Sequence, residues 1–355
     1  MRVVRVVSLL DFGGVEKRML NISSAVPNGV ELVFVVLGKG GWAAREIEKN
    51  GCRVICLNHP FKIPNWALAV KLTRLLKRLK ADVVHSAGAE ANFHGQLAAY
   101  FAGVNKRIAE EIGFPAHSAI ARGMFRLVYR FCDNLVCVAQ AVAEKVIEMK
   151  EIKPGKVRVV PNPAVIPANR LSPQKKTHDT FVFVTVCRLT KIKNLDGLLR
   201  AFSVLIKHYP KALINIVGDG PEQHNLVQLT HSLGLTGSVF FKGFSDNPFP
   251  LLSEADVFIL PSFSEGMSNA IMEAFLAGLP CIVSNVGGSV ELVKDGENGW
   301  FINPLSEADM VDKMSLAIQT KPAVLGAMGL NGMRNIEKNF SLDAYWGKLM
   351  KMYTV

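Results

Sequence analysis

The stretch DVFILPSFSEGMSNAIMEAFLAGLPCIVS, residues 256–284, contains a complete strand–helix–strand unit. An apolar run ends in a Pro-Ser-Phe-Ser-Glu-Gly turn, after which Ser268 or Asn269 caps a helix. A second apolar run, from Pro280 to Ser284, follows that helix and indicates another strand. Because two strands joined through a helix run parallel, this stretch predicts a parallel sheet covered by helices.

The same alternation extends in both directions along the chain. Further strand-like runs cover residues 3–10, 31–37, 53–57, 82–85, 107–112, 135–138, 157–160, 181–187, 212–217, 239–242 and 300–302. A polar, proline-bearing stretch from Pro161 to Thr180 separates two series of runs and indicates a linker. The fold class is therefore α/β, with two Rossmann-like doubly wound domains at 1–164 and 165–340. A helix at about 341–355 is expected to pack back on the first domain.

Length and composition fit this arrangement. The chain has 355 residues, of which 49% are hydrophobic and 20% charged, as in globular proteins large enough for two cores. No apolar stretch approaches the roughly 20 residues that cross a bilayer, and the N-terminal stretch lacks a signal-peptide cleavage site. We expect a cytoplasmic protein that is soluble or peripheral to the membrane.

The six cysteines show no CxxC pair and no histidine partner at metal-ligand spacing. They are Cys52, Cys56, Cys132, Cys137, Cys187 and Cys281. Their places in predicted strands and strand edges indicate reduced core thiols, and no metal site is predicted.

Charge is unevenly distributed along the chain. Up to residue 170 there are 25 Lys and Arg against 13 Asp and Glu, and beyond it 16 against 17. The first part thus carries the whole excess of the net charge of +11. Such asymmetry indicates a polyanionic partner for the first domain: an anionic membrane, a phosphate-bearing acceptor or nucleic acid.

Two glutamates flank the capped helix of the opening stretch. Glu265 precedes the helix and Glu273 lies on it, which would separate them by about 12 Å if the rise were helical throughout. That distance is comparable to the reach from a hexose to the ribose of its nucleotide. Carboxylates accept hydrogen bonds from vicinal hydroxyls, while the free N–H groups at the helix start near Asn269 attract phosphate.

Cationic and glycine-rich turns follow the first strands of the second domain. Arg188 and Lys193 lie just past residues 181–187, where fixed cations can neutralise a diphosphate without a metal. Gly218 and Asp219 follow the next strand in a turn that either approaches a ligand or is simply tight. We also assign to this site a further set of residues: Phe244, Gly266, Met267, Ser268 and Asn269.

Taken in order, these motifs resemble those of family-four retaining glycosyltransferases, which have the GT-B fold with two Rossmann-like domains facing a central cleft. The similarity is strongest from Val157 to Ile302. The motifs are Gly13-Gly14-Val-Glu16, Arg188 with Lys193, Gly218-Asp-Gly-Pro221 and the segment from Glu265 to Glu273. The resemblance implies that Arg188 and Lys193 hold the donor diphosphate, Glu265 the sugar and Glu273 the ribose, while Gly13 and Gly14 approach the diphosphate. It also implies a nucleoside-diphosphate donor, expected to be a UDP-sugar, with no cofactor and no metal.

The chain departs from the family pattern at one position. Many relatives carry a cleft histidine after the fifth strand of the first domain, where this chain has Ala109-Glu110-Glu111-Ile112-Gly113. Glu111, or His85 at the predicted end of the fourth strand, is the candidate to contact the sugar or acceptor instead. For His85, a satisfied buried histidine is the equal alternative, and His94 and His117 are predicted at the surface.

Two basic amphipathic segments lie in the positively charged part. In the first, leucines and Trp66 recur at helical spacing between basic residues: Lys71, Arg74, Lys77, Arg78 and Lys80. The second, residues 120–131, places Arg122, Arg126 and Arg130 on one face. Either each helix buries its apolar side on the sheet, or it lies on an anionic membrane, which the charge asymmetry favours.

The expected function is therefore hexosyl transfer to a glycan or lipid-linked acceptor in lipopolysaccharide or capsule synthesis, at the inner face of the cytoplasmic membrane. Two alternatives remain. A sugar-nucleotide epimerase of the same fold would use Glu111 and His85 for elimination chemistry. A non-catalytic protein could bind a nucleotide-sugar or nucleic acid, although few aromatic residues accompany the basic ones as stacking platforms, so no nucleic-acid partner is expected.

Overall fold

Parallel strands form two separate sheets in the computed structural model, which describes residues 1–11, 13–165 and 180–354. The chain divides into a first unit, Met1–Val165 with Phe340–Val355, and a second unit, Ile166–Asn339. Most of the predicted linker, residues 166–179, lies outside the described residues. Every strand-like run of the sequence corresponds to an observed strand, and all named strand pairs are parallel.

The first unit has a seven-stranded sheet in the order β3-β2-β1-β4-β5-β6-β7. Its strands are β1 (Arg2–Val7), β2 (Glu31–Val36), β3 (Arg53–Cys56), β4 (Val83–Ala87), β5 (Lys106–Glu111), β6 (Asn134–Cys137) and β7 (Val157–Val159). Its helices are α1 (Gly14–Ser23), α2 (Trp42–Lys49), α3 (Trp66–Leu79), α4 (Ala89–Ala102), α5 (Ala119–Val128), α6 (Gln140–Glu148) and α14 (Leu342–Thr354).

Two apolar cores cover the faces of this sheet, because successive side chains of β1 point to opposite sides. Val4 and Val6 join the core that contains the buried leucines of α3. Val3 and Val7 join the core formed with α1, α2 and the last helix, α14. From α14, four side chains enter this core: Tyr345, Trp346, Leu349 and Tyr353.

The second unit has a six-stranded sheet in the order β10-β9-β8-β11-β12-β13. Its strands are β8 (Phe181–Val186), β9 (Ala212–Val217), β10 (Val239–Gly243), β11 (Val257–Leu260), β12 (Cys281–Ser284) and β13 (Gly299–Ile302). Its helices are α7 (Leu195–Leu205), α8 (Gln223–Ser232), α9 (Phe249–Ser253), α10 (Asn269–Leu276), α11 (Ser289–Leu292), α12 (Glu307–Gln319) and α13 (Pro322–Asn339). Helices α7 and α12 contribute to its main core.

The six cysteines are free thiols, as predicted. Four are buried, whereas Cys56 and Cys187 are partly exposed. Within the described ranges, no helix combines the length and the apolar character needed to span a membrane.

Candidate functional site

The second sheet has a topological switch point between β8 and β11. From β8 the chain proceeds to β9 on one side, and from β11 it proceeds to β12 on the other. Ligands of open α/β sheets bind in a crevice beyond the carboxyl ends of such strands, and we refer to this region of the second unit as the crevice. The loop after β8 carries Arg188 and Lys193, and the loop after β11 carries Glu265. The fold thus brings together residues that are far apart in sequence.

Lys193 and Glu265 form the central contact of this crevice. Lys193 Nζ lies 2.6 Å from Glu265 Oε1, and Ser262 Oγ donates to the same oxygen at 2.6 Å. The side chains are 19% and 8% exposed, so the pair is largely shielded yet still reaches solvent. Ser262 was not among the predicted site residues. In the sequence, the only indication that Ser262 belongs to the site is its position three residues before Glu265 in the same turn.

Backbone contacts fix the two loops against their neighbours. Phe263 N–H donates to Ile192 O at 2.8 Å, which joins the loop after β11 to the loop after β8. Gly288 N–H donates to Glu265 O at 3.2 Å. A Cβ added at Gly288 would lie 2.0 Å from Gly266 O, so only glycine allows this approach. The backbone contact with Ile192 on one side and the contact with Gly288 on the other therefore hold Glu265 in position.

The predicted glycine turn after β9 packs on the loop that carries Arg188. Gly218 has φ +135°, and a Cβ there would lie 1.9 Å from Cys187 O. Leu189 N–H donates to Asp219 O at 2.9 Å. Gly218 therefore allows close packing between the two loops, and Asp219 is exposed beside it.

Helix α10 begins at Asn269, and the Ser268 side chain caps it by accepting from Ile271 N–H. The residues between Glu265 and the helix are not helical. The separation expected for a continuous helix therefore does not apply to Glu265 and Glu273. Glu273 lies on α10 and is partly exposed. The other predicted residues differ in exposure: Met267 and Ser268 are buried, Gly266 and Asn269 are partly exposed, and Arg188 and Phe244 are exposed.

His85 is placed differently from its prediction. β4 continues to Ala87, so His85 lies in the middle of the strand and is fully buried. Its Nδ1 lies 2.6 Å from Arg5 Nη1 and 2.7 Å from Tyr353 Oη. Burial and the Arg5 guanidinium lower the pKa of His85 to about 4. The structure thus corrects the strand-end placement and favours the alternative of a buried histidine, whose Nδ1 has hydrogen-bond partners.

Glu110 holds this buried cluster together. Arg5 Nη2 donates to its Oε2 at 2.8 Å, and Arg18 Nη1 donates to its Oε1 at 2.6 Å. Burial alone would raise the pKa of Glu110, but the Arg18 and Arg5 guanidiniums hold it well below its usual range. We refer to Arg5, Arg18, His85, Glu110 and Tyr353 as the buried charge cluster.

Glu111, the last residue of β5, is buried but faces a different set of partners. Tyr129 Oη donates to its Oε1, and Asn92 Nδ2 lies 3.3 Å from the same oxygen. Burial raises the pKa of Glu111 to about 7, against these hydrogen bonds. Its carboxyl group can therefore gain or lose a proton near neutral pH.

His94 and His117, the two histidines predicted at the surface, also lie in the first unit. His117 is partly exposed, and its Nδ1 lies 2.8 Å from Glu151 Oε1. Burial would lower the pKa of His117, but the Glu151 carboxylate outweighs it and raises that pKa. His94 was predicted at the surface, which is wrong. It is buried, because α4 is covered by both the sheet and α3, and its Nε2 accepts from Asn65 N–H at 3.2 Å.

Gly13 and Gly14 lie between β1 and α1, and α1 starts at Gly14. A Cβ added at Gly13 would lie 2.3 Å from Glu16 Oε2, so a larger residue there would displace the Glu16 carboxylate. In the part of the chain that the structure describes, no group of three or more His, Cys, Asp and Glu residues could hold a metal ion.

A chain with two Rossmann-like units and a polar crevice at a strand switch point has the architecture of GT-B glycosyltransferases. The family model described as Glycosyltransferase Family 4 matches residues 12–165, and the model described as Glycosyl transferases group 1 matches residues 169–327. This chain belongs to the group 1 glycosyltransferases. It is a glycosyltransferase, and the epimerase and non-catalytic alternatives are not favoured.

Proteins named as glycosyltransferases are similar to this chain over most of its length. The UDP-Gal:alpha-D-GlcNAc-diphosphoundecaprenol alpha-1,3-galactosyltransferase of Escherichia coli is 30% identical over 325 residues, which are 85% of this chain and 81% of the relative. The lipopolysaccharide core biosynthesis glycosyltransferase LpsD of Rhizobium meliloti is 28% identical and covers 94% of each chain. The structure of Anabaena HepE in complex with UDP and glucose has a TM-score of 0.85 at 20% identity and covers 100% of both chains, which confirms the fold.

Proposed function

We propose that this glycosyltransferase moves a hexosyl residue from a UDP-sugar to a lipid-linked or polysaccharide acceptor in cell-envelope glycan synthesis. The observation that carries the proposal is the contact between Lys193 and Glu265 at the switch point of the second sheet, with Arg188 in the same loop as Lys193. The named substrates of the Escherichia coli relative and the lipopolysaccharide role of LpsD support the acceptor class. The UDP in the HepE structure supports the donor class.

Retention of anomeric configuration without a metal ion is part of the proposal. Arg188, Lys193 and the N-terminus of α10 would stabilise the departing diphosphate as its negative charge develops. The acceptor oxygen would form its bond to the sugar on the face from which the phosphate oxygen leaves. The hydroxyl proton would pass to that phosphate oxygen, so no protein nucleophile is required.

Glu265 would orient the sugar rather than the phosphates. Its Oε1 accepts from both Lys193 and Ser262. Donor binding would redirect Lys193 toward the diphosphate and leave the carboxylate to accept from sugar hydroxyls. Glu273 would contact the ribose. The donor role of Gly13 and Gly14 and the acceptor role of Glu111 stay predictions.

We also propose that the first unit meets its acceptor at an anionic membrane. The basic residues of α3 are exposed along its outer side, while four of its five leucines, Leu68, Leu72, Leu76 and Leu79, are buried. Each Lys or Arg near an anionic surface contributes on the order of 1 kcal/mol. Co-sedimentation with phosphatidylglycerol vesicles should therefore weaken at high salt. It should also weaken when Lys71, Arg74, Lys77 and Arg78 are changed to Gln.

Glu265→Ala tests the assigned reaction. With a radiolabelled UDP-sugar and a lipid extract as acceptor source, the variant should lose most transfer, because the sugar loses its orienting carboxylate. It should bind UDP at least as well as the parent, since Lys193 is released from its ion pair. Activity should survive excess chelator. Glu297→Ala, at an exposed position of the same unit, is the matched control and should stay active. Full activity of Glu265→Ala would remove Glu265 from the site.

A further inference from the structure

Helix α3 has apolar side chains on two sides. Its inward side is already satisfied by Leu68, Leu72 and Leu76, which are buried in the core of the first unit. Trp66 and Val70 lie on the outward side and are 65% and 50% exposed. Burial in the core therefore explains the leucines but not these two residues.

The outward residues form a single row. Trp66, Val70, Arg74 and Arg78 follow one another at intervals of four residues, which places them along one stripe of the helix. The stripe is apolar at the start of the helix and basic toward its end. An open groove of about 700 Å³ runs along it, with Ile55, Leu57 and Leu75 among its apolar lining. Ile55 belongs to β3, the edge strand of the sheet.

The groove is held in shape by contacts behind it. The centroid of the Trp66 ring lies 6.3 Å from that of buried Phe93, so the inner side of the indole packs on this ring. Asn65 caps α3 by accepting from Leu68 N–H, and its own N–H donates to His94. Lys71 Nζ donates to Leu57 O at 3.1 Å and joins the helix to the end of β3. A preformed groove loses less conformational entropy when a ligand binds.

We propose that this groove binds the hydrocarbon chain of a phosphate-bearing lipid. The chain would lie against Val70, Trp66 and the apolar lining, and the phosphate would meet Arg74 and Arg78. Charge complementarity selects the phosphate, because this part of the protein carries the excess of basic residues. The inference rests on the proposal that the first unit meets a lipid-linked acceptor at an anionic membrane, and it adds chain insertion to surface attraction.

Decyl phosphate at monomeric concentrations is the probe. Its binding should shift the emission of exposed Trp66 to shorter wavelength, and the shift should be absent in Trp66→Phe. Inorganic phosphate has no hydrocarbon chain, and decyl maltoside has the chain but no phosphate. Each should bind at least tenfold more weakly than decyl phosphate.

Matched variants on two helices separate this groove from general surface effects. Val70→Gln should weaken decyl phosphate binding at least fivefold, and Arg74→Gln with Arg78→Gln should do the same. Ile120→Gln on α5 is the apolar control, because Ile120 is 80% exposed. Arg122→Gln, also exposed on α5, is the basic control. Both controls should bind like the parent.

Equal binding of decyl phosphate by Val70→Gln and the parent protein would overturn the proposal. So would inorganic phosphate or an acidic peptide binding as tightly as decyl phosphate, since charge alone would then suffice. Calorimetry with UDP keeps the two proposals apart. UDP binding without decyl phosphate binding overturns only the groove, whereas decyl phosphate binding without UDP binding overturns only the donor assignment.

Discussion

The pair formed by Lys193 and Glu265 and the buried charge cluster both bring together opposite charges from distant parts of the sequence. The distances are similar: 2.6 Å for Lys193–Glu265, and 2.6 and 2.8 Å for the two arginines on Glu110. Solvent reaches the first pair in part, but Arg5 and Glu110 are fully buried. The comparison shows that burial, rather than distance, separates an ion pair that solvent can reach from one that it cannot.

Glu110→Gln should produce the largest effect. Removing one charge from a buried ion pair leaves both arginines without their counter-charge, which typically costs about 3 to 5 kcal/mol. Urea unfolding measures the loss. Glu31→Gln is the matched control, because its pair with Arg2 is exposed and screened by solvent, so its loss should change stability far less. An equal change in both variants would contradict the distinction between buried and exposed pairs.

Lys193→Ala tests the other side of the comparison. The variant should weaken UDP binding by about 1.5 to 3 kcal/mol in calorimetry, the scale of a lost charged hydrogen bond, and Glu273→Ala should do likewise. Lys191→Ala changes an exposed lysine of the same turn and should have little effect. If neither Lys193→Ala nor Glu273→Ala alters the affinity, the crevice does not hold the nucleotide.

Glu111→Gln is expected to have a smaller, pH-dependent effect. The pKa of Glu111 is raised from 4.5 to about 7, so the folded state holds a proton that the unfolded state releases. The stability that this carboxyl contributes is complete below pH 4.5 and is lost as the pH rises through 7. Relative to the parent, Glu111→Gln should therefore gain on the order of 2 kcal/mol between pH 5 and pH 8. Thermal unfolding across this range measures it, and a pH-independent difference would contradict the raised pKa.

The strands could be predicted because buried parallel strands appear as short apolar runs, and the bounds differ by only a few residues. Helix α3, expected over 66–80, spans Trp66–Leu79. The positions of His85 and His94 were predicted wrongly, because the local sequence pattern does not show which elements cover a residue. His85 looked like a strand end because the polar Ser86 follows it, and His94 lies on a helix whose outer side is covered by a neighbouring helix.

The candidate site could be predicted from the sequence only in part, for a similar reason. Residue types and turns identified Lys193 and Glu265, but their ion pair spans 72 positions and depends on β8 and β11 being neighbours in the sheet. The hydrogen bond from Tyr129 to Glu111 likewise depends on how α5 packs. Chemistry is visible in the sequence, whereas the choice of partner comes from topology.

The contact between His85 and Tyr353 joins residues 268 positions apart. During synthesis, the strands of the first unit leave the ribosome early, but α14 follows only after the whole second unit has been made. Until then Arg5 and His85 lack their cover, and the apolar positions that receive Trp346 and Leu349 stay open to water. The order of translation therefore lets the second unit, which is continuous in sequence, complete its fold before the first.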